Sequence, residues 1–125
     1  MPVTVKQLME AANAAVPKVS VDEAKALMAQ GALVVDVRDG TEVAATGKVP
    51  GAIHVQRGLL EFKADPASPA FDPNFSPDKT IVLYCASGGR SALSGKTLHD
   101  MGYTKVRNLG GFKSWADAGG ALDKG

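Results

Sequence analysis

Only one cysteine, Cys85, stands in the 125-residue chain, so an internal disulfide is excluded. With just two separated histidines, His54 and His99, it gives no metal-ligand spacing, and neither a structural metal site nor a cofactor is expected. Charge of one sign is also lacking: 14 Lys plus Arg stand against 13 Asp plus Glu. No basic block or aromatic-interleaved stripe tracks a phosphate backbone, so nucleic acid is not an expected partner. No run approaches the roughly 20 apolar residues of a membrane helix. The first ten residues lack the charged start, apolar block and cleavage site of a secretory signal, so a cytoplasmic protein without membrane contact is expected. What remains is ordinary globular composition, 45% hydrophobic and 22% charged, at a length that suits one domain over residues 1–125.

Val5, Leu8, Met9, Ala12 and Val16 recur at helical spacing behind the capping-box pair Thr4 and Gln7. They predict an N-terminal helical extension within residues 1–17, laid against a core of residues 18–120. A second helix is expected over 22–31. Residues 33–37 form a compact β-branched run, the pattern of a strand covered on both faces. The alternation continues with a helix over 41–45, a strand over 52–55 and a helix over 59–64. Residues 65–77 hold Pro66, Pro69, Pro73 and Pro77 and predict an irregular excursion anchored by Phe71 and Phe75. A strand over 80–84, a helix over 90–101, a strand over 105–109 and a closing helix containing Trp115 complete an α/β fold with a mostly parallel sheet.

Cys85 ends the most apolar strand, at the carboxyl edge where open parallel sheets bind ligands. After it Ala86, Ser87, Gly88 and Gly89 are small enough to turn successive N–H groups inward ahead of a helix. Such a cradle favours a thiolate, so a lowered Cys85 pKa is expected. The competing reading is an inert buried cysteine.

The run Cys85-Ala86-Ser87-Gly88-Gly89-Arg90-Ser91 resembles the active-site loop of rhodanese sulfurtransferases, in which four residues separate Cys from Arg-Ser. Residues 33–38, ending in Asp36-Val37-Arg38, the turn Gly47-Lys48-Val49-Pro50-Gly51-Ala52, and Gly110-Gly111-Phe112 with Trp115 resemble further marks of that family, in the family's order. The resemblance implies a three-layer fold with a central, mostly parallel, five-stranded sheet flanked by helices. It also implies sulfur transfer through a Cys85 persulfide, loaded from a donor such as thiosulfate and discharged to an external thiol or cyanide. A protein-borne persulfide is a further candidate partner, because the positions between Cys85 and Arg90 carry no charge and Lys48 replaces the family's usual histidine. Lys113 or Arg57 is a candidate to compensate.

Within this resemblance Ala86, Ser87, Gly88, Gly89, Arg90 and Ser91 line the anion-binding loop. Arg90 either meets a sulfonate oxygen or locks the loop by pairing with Asp36, Asp39 or Glu42, the locking role being favoured. Ser87 and Ser91 either touch the anion or cap the helix. Asp36 and Arg38 organise the site from behind, and Arg57 is the preferred substrate-side cation, with an ordinary ion pair to Glu61 as the alternative. Gly110 and Gly111 allow close approach, while Trp115 and His54 read as packed and His99 as surface. Two other functions compete: a non-catalytic binding or redox-sensing module, and a phosphatase or arsenate reductase, whose related loops have one more residue between Cys and Arg.

Overall fold

The computed structural model describes residues 2–123. Met1, Lys124 and Gly125, included in the expected domain of residues 1–125, lie outside the described residues. Helix α1 (Val5–Ala15) opens on the expected reciprocal cap: the Gln7 N–H donates to Thr4 Oγ1 at 3.1 Å and the Thr4 N–H to Gln7 Oε1 at 2.9 Å. Ser20 and Glu23 repeat the device at the start of α2 (Val21–Ala29). The apolar stripe of α1 is only partly used, since Val5 and Leu8 are exposed while Ala12 and Val16 are buried.

The remaining elements are β1 (Leu33–Asp36), α3 (Gly40–Thr46), β2 (Ile53–His54), a 3-10 turn Arg57–Leu59 leading into α4 (Leu60–Ala64), β3 (Ile81–Cys85), α5 (Gly89–Asp100), β4 (Val106–Gly111) and α6 (Phe112–Asp117). The strands form one parallel sheet in the order β2-β1-β3-β4, so β3 is interior. Alternation along the strands divides the core. Leu33, Val35, Val37, Ile81, Leu83 and Cys85 join Val16 of the α1 end, Leu60 of α4 and Leu98 of α5. Val34, Val82 and Tyr84 join Ala24 of α2 and Phe112 and Trp115 of α6 on the opposite face. Helix α1 is seated on α5 at Gly95, where a β-carbon would lie 2.9 Å from both Val16 methyls.

Four strands are present among the described residues, not five. The fifth is reduced to one parallel bridge, Lys18 to Asn108, with the Asn108 N–H donating to Pro17 O at 2.9 Å and the Val19 N–H to Asn108 O at 3.0 Å. Pro17 has no N–H to extend the ladder on one side and Ser20 is committed to capping α2 on the other. A second irregularity lies between β3 and β4: Leu83 pairs with Asn108 but Tyr84 with Gly110, so Leu109 is an extra residue in β4. This bulge bends the strand toward the end of β3.

The proline-rich excursion has no helix or strand. Asp65 and Asp72 close Asx turns on the N–H groups of Ala67 and Asn74, each at 2.9 Å. Phe75 anchors it, edge-on to Tyr103 with 6.0 Å between ring centroids. No helix among the described residues is long and apolar enough to cross a membrane.

Candidate active site

Cys85 is the last residue of β3, and the alternation that buries Ile81 and Leu83 turns its side chain toward α5. The chain then reverses at Gly88, whose φ of +105° lies in the left-handed region and whose added β-carbon would come 3.3 Å from Gly110 Cα. This turn aims the Gly88 N–H at Cys85 Sγ, 3.0 Å away. Ser91, in the first turn of α5, places its Oγ 3.5 Å from the sulfur. Burial opposes ionisation of Cys85, but hydrogen bonds from the Ser91 hydroxyl and from the Ser91, Gly88 and Ser87 N–H groups outweigh it, so the pKa is lowered. Lowering means that the thiolate is populated at a pH where an ordinary thiol is still protonated. Ser91→Ala removes a donor to the charged form, so the pH midpoint of Cys85 alkylation moves upward, as measured by iodoacetamide rate against pH. An unmoved midpoint would contradict this role for Ser91.

The surrounding elements hold the loop. A β-carbon on Gly111 would lie 2.6 Å from Ala86 O, so only glycine permits this contact between β4 and the loop. Arg90 donates from both terminal nitrogens to the Glu42 carboxylate, each at 2.8 Å. Of the three expected partners, therefore, Glu42 is the one used. The Arg90 hydrogen bond brings the Glu42 pKa down to about 2, so the pair persists through neutral and mildly acidic pH. Asp36 is engaged elsewhere, accepting from the Arg38 guanidinium at 2.7 Å, and Arg38 also donates to Thr46 Oγ1 and Gly47 O, each at 2.8 Å. Arg38 lies 4.2 Å from the Phe112 ring centroid. Asp36 and Arg38 thus tie β1 to the end of α3 and the start of α6, behind the loop.

Arg57 does not reach the loop. Its guanidinium donates to Glu61 at 2.8 Å and to Thr97 Oγ1 at 3.1 Å, and Thr97 lies about two turns, or about 12 Å, along α5 from Gly89. Arg57, the expected substrate-side cation, thus makes the ion pair with Glu61 that was its alternative reading, on the flank of α5 where the 3-10 turn after β2 directs it. Lys113 is paired with Asp117, and Lys48 donates to Ala52 O. Ser87 is exposed at the loop rim. His54 bonds Arg38 O at 2.6 Å, His99 lies on the α5 surface, and Trp115 is core.

Asn108 is the residue that sequence reasoning missed. It is buried, its Oδ1 accepts from the Gly110 N–H at 2.8 Å and lies 2.7 Å from Ser91 Oγ, where it shares the single hydroxyl proton with Cys85 Sγ, and its Nδ2 donates to Gly88 O at 3.4 Å. The signal available in the sequence is an amide set inside a strand two positions before a Gly-Gly pair.

Residues 20–118 match the family described as Rhodanese-like domain. The chain is 32% identical over 112 residues to human thiosulfate:glutathione sulfurtransferase, covering 83% of this chain and 96% of that protein. A structure from Rhodopseudomonas palustris, of a protein of unknown function described as a possible tyrosine phosphatase, is similar with a TM-score of 0.88 and 42% identity, covering 98% of this chain and 99% of that one. The polysulfide-sulfur transferase homodimer of Wolinella succinogenes is similar with a TM-score of 0.73 and 30% identity, covering 94% and 85% respectively.

Proposed function

Because the chain belongs to the rhodanese-like domain family and is a rhodanese-type sulfurtransferase, we propose that it moves a sulfane sulfur from a donor such as thiosulfate to a thiol or cyanide through a persulfide on Cys85. The observation that carries this reading is the Gly88 N–H, 3.0 Å from a Cys85 sulfur that stands at the entrance to α5. In the first step the Cys85 thiolate attacks the outer sulfur of thiosulfate; the S–S bond breaks, its electron pair leaves with sulfite, and Cys85 carries a terminal anionic sulfur. In the second, an acceptor thiol loses its proton to solvent and its thiolate attacks that terminal sulfur, returning the electron pair to Cys85 Sγ. The loop from Ala86 to Ser91 stabilises negative charge in both steps through its N–H groups, as an oxyanion hole does. Arg90, Asp36 and Arg38 hold the loop in place in this proposal. Residues 2–123 act as one domain, and the demand for reduced Cys85 and free thiols suits the cytoplasm.

Uncharged side chains at 86–89 also suit a neutral or protein-borne persulfide as donor. The likeness to a possible tyrosine phosphatase makes phosphoester hydrolysis the second reading. Against it stand a loop with one residue fewer than the phosphatase loops it resembles and an Arg90 fork already occupied by Glu42. Intact-mass measurement after incubation with thiosulfate, and in parallel with inorganic polysulfide, tests the proposal. One added sulfur atom, removed by a thiol or cyanide, is the expected result. No added sulfur from either donor, with Cys85-dependent turnover of an aryl phosphate, would favour the phosphatase.

A further inference from the structure

The catalytic loop has a neighbouring cavity to which the sulfur-transfer steps assign no role. It has a volume of about 330 Å³ and lies between α1, the Lys18 segment, the loop rim and the β4–α6 junction. Asn13, Lys18, Ser87, Gly88, Asn108 and Ser114 are among its lining residues. Lys18 is its only charged residue, and no carboxylate lines it among the described residues. The Lys18 ammonium makes no ion pair or hydrogen bond among the described residues, in contrast to Lys48, Lys96 and Lys113, each of which is paired.

Asn108 sets this cation in register with the reacting sulfur. Its backbone bonds the residues on either side of Lys18, through Pro17 O and the Val19 N–H. Its side chain bonds Ser91 and Gly88, two of the residues whose groups approach Cys85 Sγ. A single residue therefore connects the backbone that carries the free ammonium to the loop that carries the sulfur. The cavity also draws Asn13 and Met9 from α1, a helix that precedes the family match at residue 20.

From this arrangement we infer that the cavity seats the acceptor, a small thiol bearing a carboxylate, with Lys18 holding the carboxylate while the thiol reaches the persulfide across the Ser87–Gly88 rim. The inference rests on the sulfur-transfer reading above. The acceptor thiolate forms a bond to the terminal sulfur, the bond from that sulfur to Cys85 Sγ breaks, and the products are an acceptor persulfide and the Cys85 thiolate.

The test uses the full chain, loaded with inorganic polysulfide and checked by intact mass. It is then discharged in single-turnover mixes with 3-mercaptopropionate, which carries a carboxylate, or with neutral 2-mercaptoethanol. The ratio of the two rates, corrected for thiolate fraction, is expected to fall about tenfold in Lys18→Glu, the scale set by reversing one solvent-exposed charge. Lys18→Arg retains the ratio, as does Lys6→Glu, a reversal on α1 outside the cavity lining. An unchanged ratio in Lys18→Glu, or an equal fall in Lys6→Glu, would overturn the site while leaving sulfur transfer standing. Failure of the parent protein to load any sulfur overturns sulfur transfer itself, and the acceptor site with it.

Discussion

Cys85→Ser yields a folded protein that takes up no sulfur from thiosulfate or polysulfide. The reaction needs an anionic nucleophile at neutral pH, and the hydrogen bonds that lower the Cys85 pKa act on a thiol already near the range where it ionises. A serine hydroxyl in the same place starts far too high for those donors to ionise it, and it cannot form a persulfide. The fold tolerates the change because Ser is slightly smaller and its oxygen still accepts from the Gly88 N–H that now meets sulfur. The expected cost is within about 1 kcal/mol. Intact mass after donor treatment and thermal unfolding of the same sample check both halves. Sulfur uptake by a folded Cys85→Ser protein would remove Cys85 from the mechanism.

Asp36→Ala is expected to have the largest effect on stability, about 3–5 kcal/mol, because it leaves a buried guanidinium without its counter-ion. Arg38 is 2% exposed and reaches Asp36 through its backbone N–H, Nε and Nη2, leaving only Thr46 Oγ1 and Gly47 O after the substitution. Neutral acceptors do not compensate a desolvated cation. Against a typical total of about 5–15 kcal/mol, the loss lowers the melting temperature by about 10–20 °C. The site also suffers, since α3 carries the Glu42 that holds Arg90. Removing the charge as well, in Asp36→Ala with Arg38→Met, is expected to recover a large part of the stability. Thermal and urea unfolding of the single and double variants measure this. A single variant as stable as the parent would show that the pair is not the tie described.

Much of this arrangement was legible because its causes are local. The Thr4–Gln7 and Ser20–Glu23 caps join residues three positions apart, and only the first was anticipated as a box, although both contain the same chemistry. The β-branched runs at β1 and β3 announced strands buried on two faces. The small residues after Cys85 announced a turn that delivers N–H groups to the sulfur. The missing fifth strand depends on Pro17 and Ser20 at once: the first has no N–H, and the second is committed to a helix cap.

The sequence by itself determined the parallel α/β arrangement, the position of Cys85 at a strand end and the tight loop that follows, because periodicity, residue size and residue spacing act over a few positions. Tertiary structure alone decided that Arg90 pairs with Glu42, 48 positions away, and not with Asp36 or Asp39. It likewise turned Arg57 away to Thr97, 40 positions away, and brought Asn108 beneath the loop through an extra residue in β4. Charge and hydrogen-bonding capacity mark which residues need partners. The choice among several suitable partners is made by the packing of helices on a twisted sheet, which sets distances that no local pattern encodes.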